Sequence, residues 1–153
     1  AGLFAREMFN VDISCWDTSN VVTMRSMFHG TDFNQDISGW DVSNVYDMTD
    51  MFRASDFNQD ISAWDVSHVI SFFRTFNSAK FNQDISSWDV SSSGDMRQMF
   101  LRAGEFNQDL CAWGSKLNGA SLMIDMFVDS GCGLKDDPSL ATNPAGPFCF
   151  TCA

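Results

Sequence analysis

The sequence predicts an α/β solenoid in which each 24-residue repeat supplies one short parallel strand and one short helix. Three observations lead to this prediction. A motif of Phe, Asn, Gln, Asp and Ile, followed by Trp, recurs along the chain. Successive Trp residues lie 24, 24, 24 and 25 positions apart. Within each copy the apolar spacing changes from strand-like to helical. The Trp column consists of Trp16, Trp40, Trp64, Trp88 and Trp113.

The first half of the unit predicts the strand. Ile37, Trp40 and Val42 follow the L-x-x-L-x-L spacing of the leucine-rich-repeat strand. Strand alternation then turns Trp40 and Val42 inward and leaves Asp41 and Ser43 facing solvent. We therefore expect a leucine-rich-repeat-like solenoid in which strands of neighbouring repeats pair.

The second half predicts the helix. Val45, Met48, Met51 and Phe52 form a helical apolar stripe. Ser43 precedes this stripe and is placed as its N-cap. A helix of about ten residues does not persist alone, so packing between repeats must hold it.

The repeats divide the chain into two regions. We expect a five-repeat solenoid over 1–130, with a partial repeat at 1–8 that indicates trimming or a longer parent chain. The segment 131–153 shows no repeat and is rich in Gly, Pro, Asn and Asp. It is expected to be an irregular cap over the last repeat.

The cysteines indicate an oxidising compartment. Four of the five lie near the chain end, which favours two disulfides holding the cap, with the pairing left open. Cys15 is left over. A zinc site is the alternative, because Cys149 and Cys152 are spaced C-x-x-C, but the other two cysteines are far apart. The four disulfide candidates are Cys111, Cys132, Cys149 and Cys152.

The charge restricts the partners. With 20 acidic and 9 basic residues, the net charge is −11, which argues against nucleic acid and anionic membrane surfaces. No run of 18 apolar residues exists, so no membrane span is expected. A protein or glycan partner, or the subunits of a larger complex, fit this surface.

An acidic column is the candidate binding site. Calcium is one ligand that its carboxylates could hold. The favoured interpretation is structural, with each Asp accepting a hydrogen bond from backbone two residues on. The candidate residues are Asp17, Asp41, Asp65 and Asp89.

Two further columns run parallel to this one. Both are expected to bond to the backbone of the adjacent coil. They comprise Asp12, Asp36, Asp60, Asp84 and Asp109, and Asn10, Asn34, Asn58, Asn82 and Asn107.

Catalytic and metal-binding patterns are lacking. No nucleophile elbow, zinc-protease motif or phosphate loop is present. His29 and His68 have no companion at metal-ligand spacing, and the Met residues fit core positions. We expect a protein that is not an enzyme and has no cofactor.

The unit F-N-Q-D-I-S-x-W-D-V-S-N-V-x-x-M-x-x-M-F resembles the BspA-like leucine-rich-repeat surface proteins, in the branch first named for Mycoplasma lipoproteins. The resemblance covers about residues 3–130. The ending with Cys132, Cys149 and Cys152 is similar to the algal type. The resemblance implies adhesion or protein binding at a surface.

These observations predict an extracellular or surface-located binding and adhesion module that engages a macromolecule through its acidic face. The alternative is a structural accessory subunit of a larger assembly, in an oxidising lumen or an extracellular coat. A weaker alternative is recognition of a regular mineral or ice surface by the Ser and Asp columns.

Overall fold

Each repeat folds as one coil of tight turns in the computed structural model, which describes Leu3 and residues 8–142 and 145–152. The partial repeat expected at 1–8 falls mainly on residues outside the described ranges. The coils are 9–32 (coil 1), 33–56 (coil 2), 57–80 (coil 3), 81–105 (coil 4) and 106–130 (coil 5).

A backbone ladder joins each coil to the next. Every second N–H from Met24 to Gly30 donates to a carbonyl of coil 2, at 2.8–2.9 Å. The same four bonds recur at the later boundaries, all between 2.8 and 3.1 Å. Residues in equal positions of the repeat therefore become neighbours. The ladder contains isolated parallel bridges that connect Thr23, Asp47, Ser71, Asp95 and Leu122 in sequence.

The predicted α/β leucine-rich-repeat class is wrong. Across the described ranges the one helix is a short 3-10 helix, Cys111–Ser115, and the described residues form no α-helix, no continuous strand and no sheet. The predicted helix does not form because alternate N–H groups donate to carbonyls of the next coil. The Met27 N–H instead closes a turn on the Met24 carbonyl at 3.1 Å. A short helix is costly to nucleate, so these bonds between coils prevail.

The predicted strand also folds as a turn. The Trp40 N–H returns to the Ile37 carbonyl at 3.1 Å, which bends the segment expected to be extended. The Trp40 indole N–H reaches back to the Ile13 carbonyl of coil 1 at 3.2 Å. Later Trp residues repeat this bond at 3.1–3.2 Å. The Trp column thus links coils through side chains, while the parallel bridges lie in the other half of the unit.

Two columns of Phe rings fill the core. Phe52 of coil 2 stacks on Phe57, the first residue of coil 3, with ring centroids 4.1 Å apart. Equivalent rings of adjacent coils stack at 5.6–6.4 Å. Such stacking adds to the large apolar area that each ring buries. The columns are Phe9, Phe33, Phe57, Phe81 and Phe106, and Phe28, Phe52, Phe76, Phe100 and Phe127.

Two columns of residues adopt left-handed backbone conformations. Their φ angles lie between +53° and +70°, a region that costs a non-glycine residue about 1 kcal/mol or more. These positions reverse the chain between successive tight turns. The columns are Ser26, Asp50, Arg74, Gln98 and Asp125, and Gly30, Ala54, Ser78, Arg102 and Asp129.

The segments 131–142 and 145–152 follow coil 5. One disulfide joins them to coil 5 and a second lies between them. Cys111 pairs with Cys152, and Cys132 pairs with Cys149. The zinc alternative is therefore wrong, because all four thiols are used. Cys15 is free and exposed. At Gly131 a Cβ atom would lie 2.6 Å from the Gly104 carbonyl oxygen, so the chain can pass this closely only as glycine.

We expect Ala54→Gly to raise the free energy of unfolding by about 0.5–1 kcal/mol, because glycine accepts the left-handed backbone without strain. Gly30 already holds this place in coil 1. Ala63→Gly is the matched control at a position with ordinary φ, and should lower stability by about 0.5–1 kcal/mol. Urea unfolding followed by Trp fluorescence measures both. Changes of the same sign would contradict the assignment.

Replacing either disulfide pair by Ala should destabilise the protein strongly. Chain entropy gives about 4 kcal/mol for the Cys111–Cys152 loop and about 3 kcal/mol for the Cys132–Cys149 loop. Cys15→Ser is the control and should change stability by about 0.5 kcal/mol or less. The measurement is thermal unfolding without reductant. A pair variant as stable as the control would show that its disulfide does not hold the cap.

Candidate functional site

One exposed carboxylate follows the Trp of each of the first four coils. Asp41 accepts the Ser43 N–H at 3.0 Å and the Ser43 hydroxyl at 2.6 Å. The interpretation that each carboxylate binds the backbone two residues on is confirmed. The bond closes a turn and does not start a helix, because the Val45 N–H donates to the Val42 carbonyl at 2.9 Å. We define the acidic column as Asp17, Asp41, Asp65 and Asp89.

These hydrogen bonds hold the column ionised. The Ser43 hydroxyl is the main cause of the lowered pKa of Asp41, followed by the Ser43 N–H. Asp17 and Asp65 oppose this by raising the pKa of Asp41, because neighbouring like charges disfavour ionisation. The pKa of each other member is lowered for the same leading reason, its own serine hydroxyl. The column therefore carries closely spaced negative charges at neutral pH.

The Asn column forms a ladder of amides between coils. The Asn34 side-chain oxygen accepts the Asn58 N–H at 2.8 Å and the Gln59 amide at 3.0 Å. The same pair of bonds recurs at the other coil boundaries. The expected bonding to the adjacent coil is confirmed for these amides. Their polar groups are thus used in holding the stack together.

The second Asp column bonds within its own coil, so the expected bond to a neighbouring coil is wrong for these carboxylates. Asp36 accepts the Ser38 N–H at 2.9 Å, and this backbone bond is the main cause of its lowered pKa. The reason is local, because an Asp reaches the N–H two residues ahead at little entropic cost. The equivalent bonds are made by Asp12, Asp60, Asp84 and Asp109.

The ion pairs lie away from the acidic column. Within the described ranges, each of the four pairs uses an Asp outside that column. No member of the acidic column takes part in these four ion pairs. The pairs are Arg25 with Asp47, Arg53 with Asp50, Lys80 with Asp56, and Arg97 with Asp95.

Lys116 is a structural residue that the sequence did not reveal. Its ammonium donates to the carbonyls of Ser86, Ser87 and Trp88 at 2.8–3.3 Å. Its charge also helps to lower the pKa of Asp89. The sequence signal was the break in the acidic column at Gly114, because coil 5 has no Asp after its Trp.

A row of exposed apolar side chains was also missed. Val22, Tyr46 and Ile70 occupy one position of the repeat and are each about half exposed. They lie between an inward Val and the bridge residue of each coil, as Val45 and Asp47 show in coil 2. The sequence signal was an apolar residue that recurs at a position outside the predicted helical stripe.

The described part of the chain contains no group of three or more His, Cys, Asp or Glu arranged to hold a metal ion. The acidic column therefore offers separate carboxylates and no shared cage for calcium. Met48 and Met51, at two of the predicted core positions, are fully buried. His68 is exposed, with its Nδ1 atom 3.4 Å from the Ser67 hydroxyl oxygen.

One family model, described as Mycoplasma protein of unknown function, DUF285, matches residues 1–80 and, in a second match, 53–131. The chain belongs to this family. Comparisons with curated proteins and with solved structures gave no match. The boundaries of the two DUF285 matches overlap within coils 2 and 3, as expected when the matched unit is itself repeated.

The cysteine chemistry of the DUF285 chain bears on its location. Its two disulfides are compatible with an oxidising, extracellular environment. Among the residues described, no helix has the length and apolar character needed to cross a bilayer.

Stability should fall in acid because of the lowered pKa values of the Asp residues. A carboxyl whose pKa is lower in the folded state stabilises the protein above its unfolded pKa, and this contribution is lost as pH falls through the folded pKa. We expect the free energy of unfolding to decline from about pH 5 downward, since the ordinary Asp pKa is 3.8. Asp41→Asn, Asp65→Asn together should reduce that slope in urea titrations. An unchanged slope would contradict the assignment.

Proposed function

We propose that this protein is a non-catalytic, extracellular or surface-located binding module, of the BspA-like surface type, that engages a macromolecular partner through the acidic column. The observation that supports it most is the column itself: four exposed carboxylates on consecutive coils, held in one geometry by Ser bonds and without an ion-pair partner in the described ranges. Because these carboxylates are already held in place, binding a cationic surface does not carry the entropic cost of ordering their side chains.

The uniformity of the column supports binding over catalysis. Acid–base catalysis needs two groups whose surroundings separate their pKa values. Asp17, Asp41 and Asp65 instead each bond the serine two residues on, and the pKa of each is lowered. A row of equal charges favours recognition of an extended partner.

The triple variant Asp41→Asn, Asp65→Asn, Asp89→Asn tests this function. Asn keeps the side-chain oxygen that accepts the Ser N–H, so the turns remain while three charges are removed. The full chain is immobilised and exposed to a surface extract of its source cells, and cross-linked partners are identified by mass spectrometry. We expect one stoichiometric partner with the unmodified protein and about a tenfold or greater loss with the triple variant.

The matched control is Asp36→Asn, Asp60→Asn, Asp84→Asn, which removes the same charge from the second Asp column. It should capture the partner normally. Capture should also be unchanged by a calcium chelator. Equal recovery by both triple variants would show that the acidic column does not bind the partner, and calcium-dependent recovery would replace this proposal by a metal-mediated one.

A second candidate, a structural subunit of a larger assembly, is favoured by one observation at coil 1. Trp16 is 41% exposed, whereas Trp40 is 4% exposed. A cavity of about 310 Å³ lies beside it, lined by Leu3, Val21 and Met27 among others. A neighbouring subunit could cover this apolar face. The native mass of the protein after mild extraction distinguishes the two candidates. A stoichiometric complex of fixed composition supports the structural subunit, and a monomer supports the binding module.

A further inference from the structure

A row of exposed apolar side chains, interrupted by one glycine, crosses the five coils on the outside of the stack. The Tyr46 N–H donates to the Val22 carbonyl at 3.0 Å, and the Ile70 N–H donates to the Tyr46 carbonyl at 2.9 Å. The Gly94 N–H donates to the Ile70 carbonyl and the Leu122 N–H to the Gly94 carbonyl, each at 3.0 Å, and Leu122 also holds the bridge position opposite Asp95. The four side chains are 46–53% exposed, so they point away from the core. We define the apolar ladder as Val22, Tyr46, Ile70, Gly94 and Leu122.

The ladder has a notch at Gly94. A Cβ atom built there meets only the Ile70 carbonyl oxygen, at 3.9 Å, and the backbone φ is not left-handed. Val22 shows that a branched side chain is accepted at this position of the repeat. The absence of a side chain therefore opens a gap between Ile70 and Leu122 that one apolar side chain of a partner can enter.

The backbone of the ladder limits what can bind. The N–H groups of Tyr46, Ile70, Gly94 and Leu122 are all used between coils. An added strand would find no free main-chain donors here, and its own polar groups would lose water without replacement. A helix satisfies its backbone internally and offers only side chains. The ladder therefore fits a helix better than an extended peptide.

The charges beside the ladder select a basic helix. On one side, a single turn separates Tyr46 from the acidic column, whose charges are available. On the other side, Asp47 and Asp95 are paired with Arg25 and Arg97. The net field along the ladder is therefore negative.

We propose that the apolar ladder is the docking site for a basic amphipathic helix of the partner, with one apolar side chain in the notch at Gly94. This inference rests on the proposed function and specifies its partner. Four coil steps of about 4.8 Å give a ladder about 19 Å long, which about 13 residues of helix would cover. The helix pitch of about 5.4 Å places an apolar residue near each coil in turn. Its Lys or Arg residues then face the acidic column.

The test uses a fluorescent synthetic peptide of about 18 residues, with Leu at i, i+3, i+4 and i+7 spacing and Lys elsewhere. A permuted peptide of the same composition lacks the apolar stripe. Fluorescence anisotropy measures binding to the full chain at low and moderate salt. We expect saturable binding of the amphipathic peptide, and binding of the permuted peptide that is at least about tenfold weaker.

Gly94→Val and Tyr46→Ser should each lower the affinity for the amphipathic peptide by about tenfold. Gly94→Val fills the notch, and Tyr46→Ser removes an apolar contact. Gly39→Val is the matched control, at an exposed glycine whose Cβ also meets open space. It should leave the affinity unchanged. Equal thermal stability of the two valine variants shows that any loss is steric.

The outcomes separate this inference from the proposed function. If the charge variants of the acidic column weaken peptide binding but Gly94→Val does not, the apolar ladder is not the docking site. The proposed binding role of the acidic column then still stands. If Gly94→Val weakens peptide binding but the charge variants do not, the proposal that the acidic column binds the partner is wrong. Equal binding of the amphipathic and the permuted peptide would overturn the helix proposal. It would also be overturned if the unmodified protein bound no peptide but bound a neutral oligosaccharide, and Tyr46→Ser abolished that binding.

Discussion

The fold depends on one constraint, the pairing of alternate backbone N–H groups in each coil with carbonyls of the next coil. These bonds span 23 residues in sequence from the Met24 N–H to the Asp47 carbonyl, and they recur at every boundary between the described coils. They leave no set of N–H groups free for a helix. Once this register is fixed, the Phe rings must stack, the Trp indoles must reach the previous coil, and the amides of the Asn ladder must meet.

The same register builds the surface proposed to bind a partner. An outward residue that recurs once per repeat becomes a row of equivalent side chains on the outside of the stack. Such a row arises from the repeat itself and needs no separately folded site. The acidic column and the apolar ladder are two such rows, separated by one turn in each coil. Their members share partners and exposure, which suits a surface that meets a regular partner. The interruptions, Gly94 in one row and Gly114 in the other, provide the asymmetry that sets direction along the stack.

Much of this could be predicted from the sequence, but the secondary structure could not. The inward positions of Phe33, Trp40 and Met48 follow from repetition, because like residues must pack on like residues. The turns at the Asp residues follow from local chemistry, since the partner N–H lies two residues away. The stripe at Val45, Met48 and Met51 fits both a helix and a series of tight turns. The choice between them is made by hydrogen bonds to another coil and by left-handed residues such as Asp50, which no local spacing reveals.

Coil 5 differs from the other described coils because a covalent bond holds it. The Cys111–Cys152 disulfide ties coil 5 to the segment that follows it, and Phe148 of that segment is buried in the core. The described contacts between the other coils are non-covalent, such as hydrogen bonds and packed side chains. In a linear array each unit is stabilised mainly by its nearest neighbours, so different units open at different free energies. Coil 5 should therefore open last among the described coils, and a pulling force should separate the other coils before it.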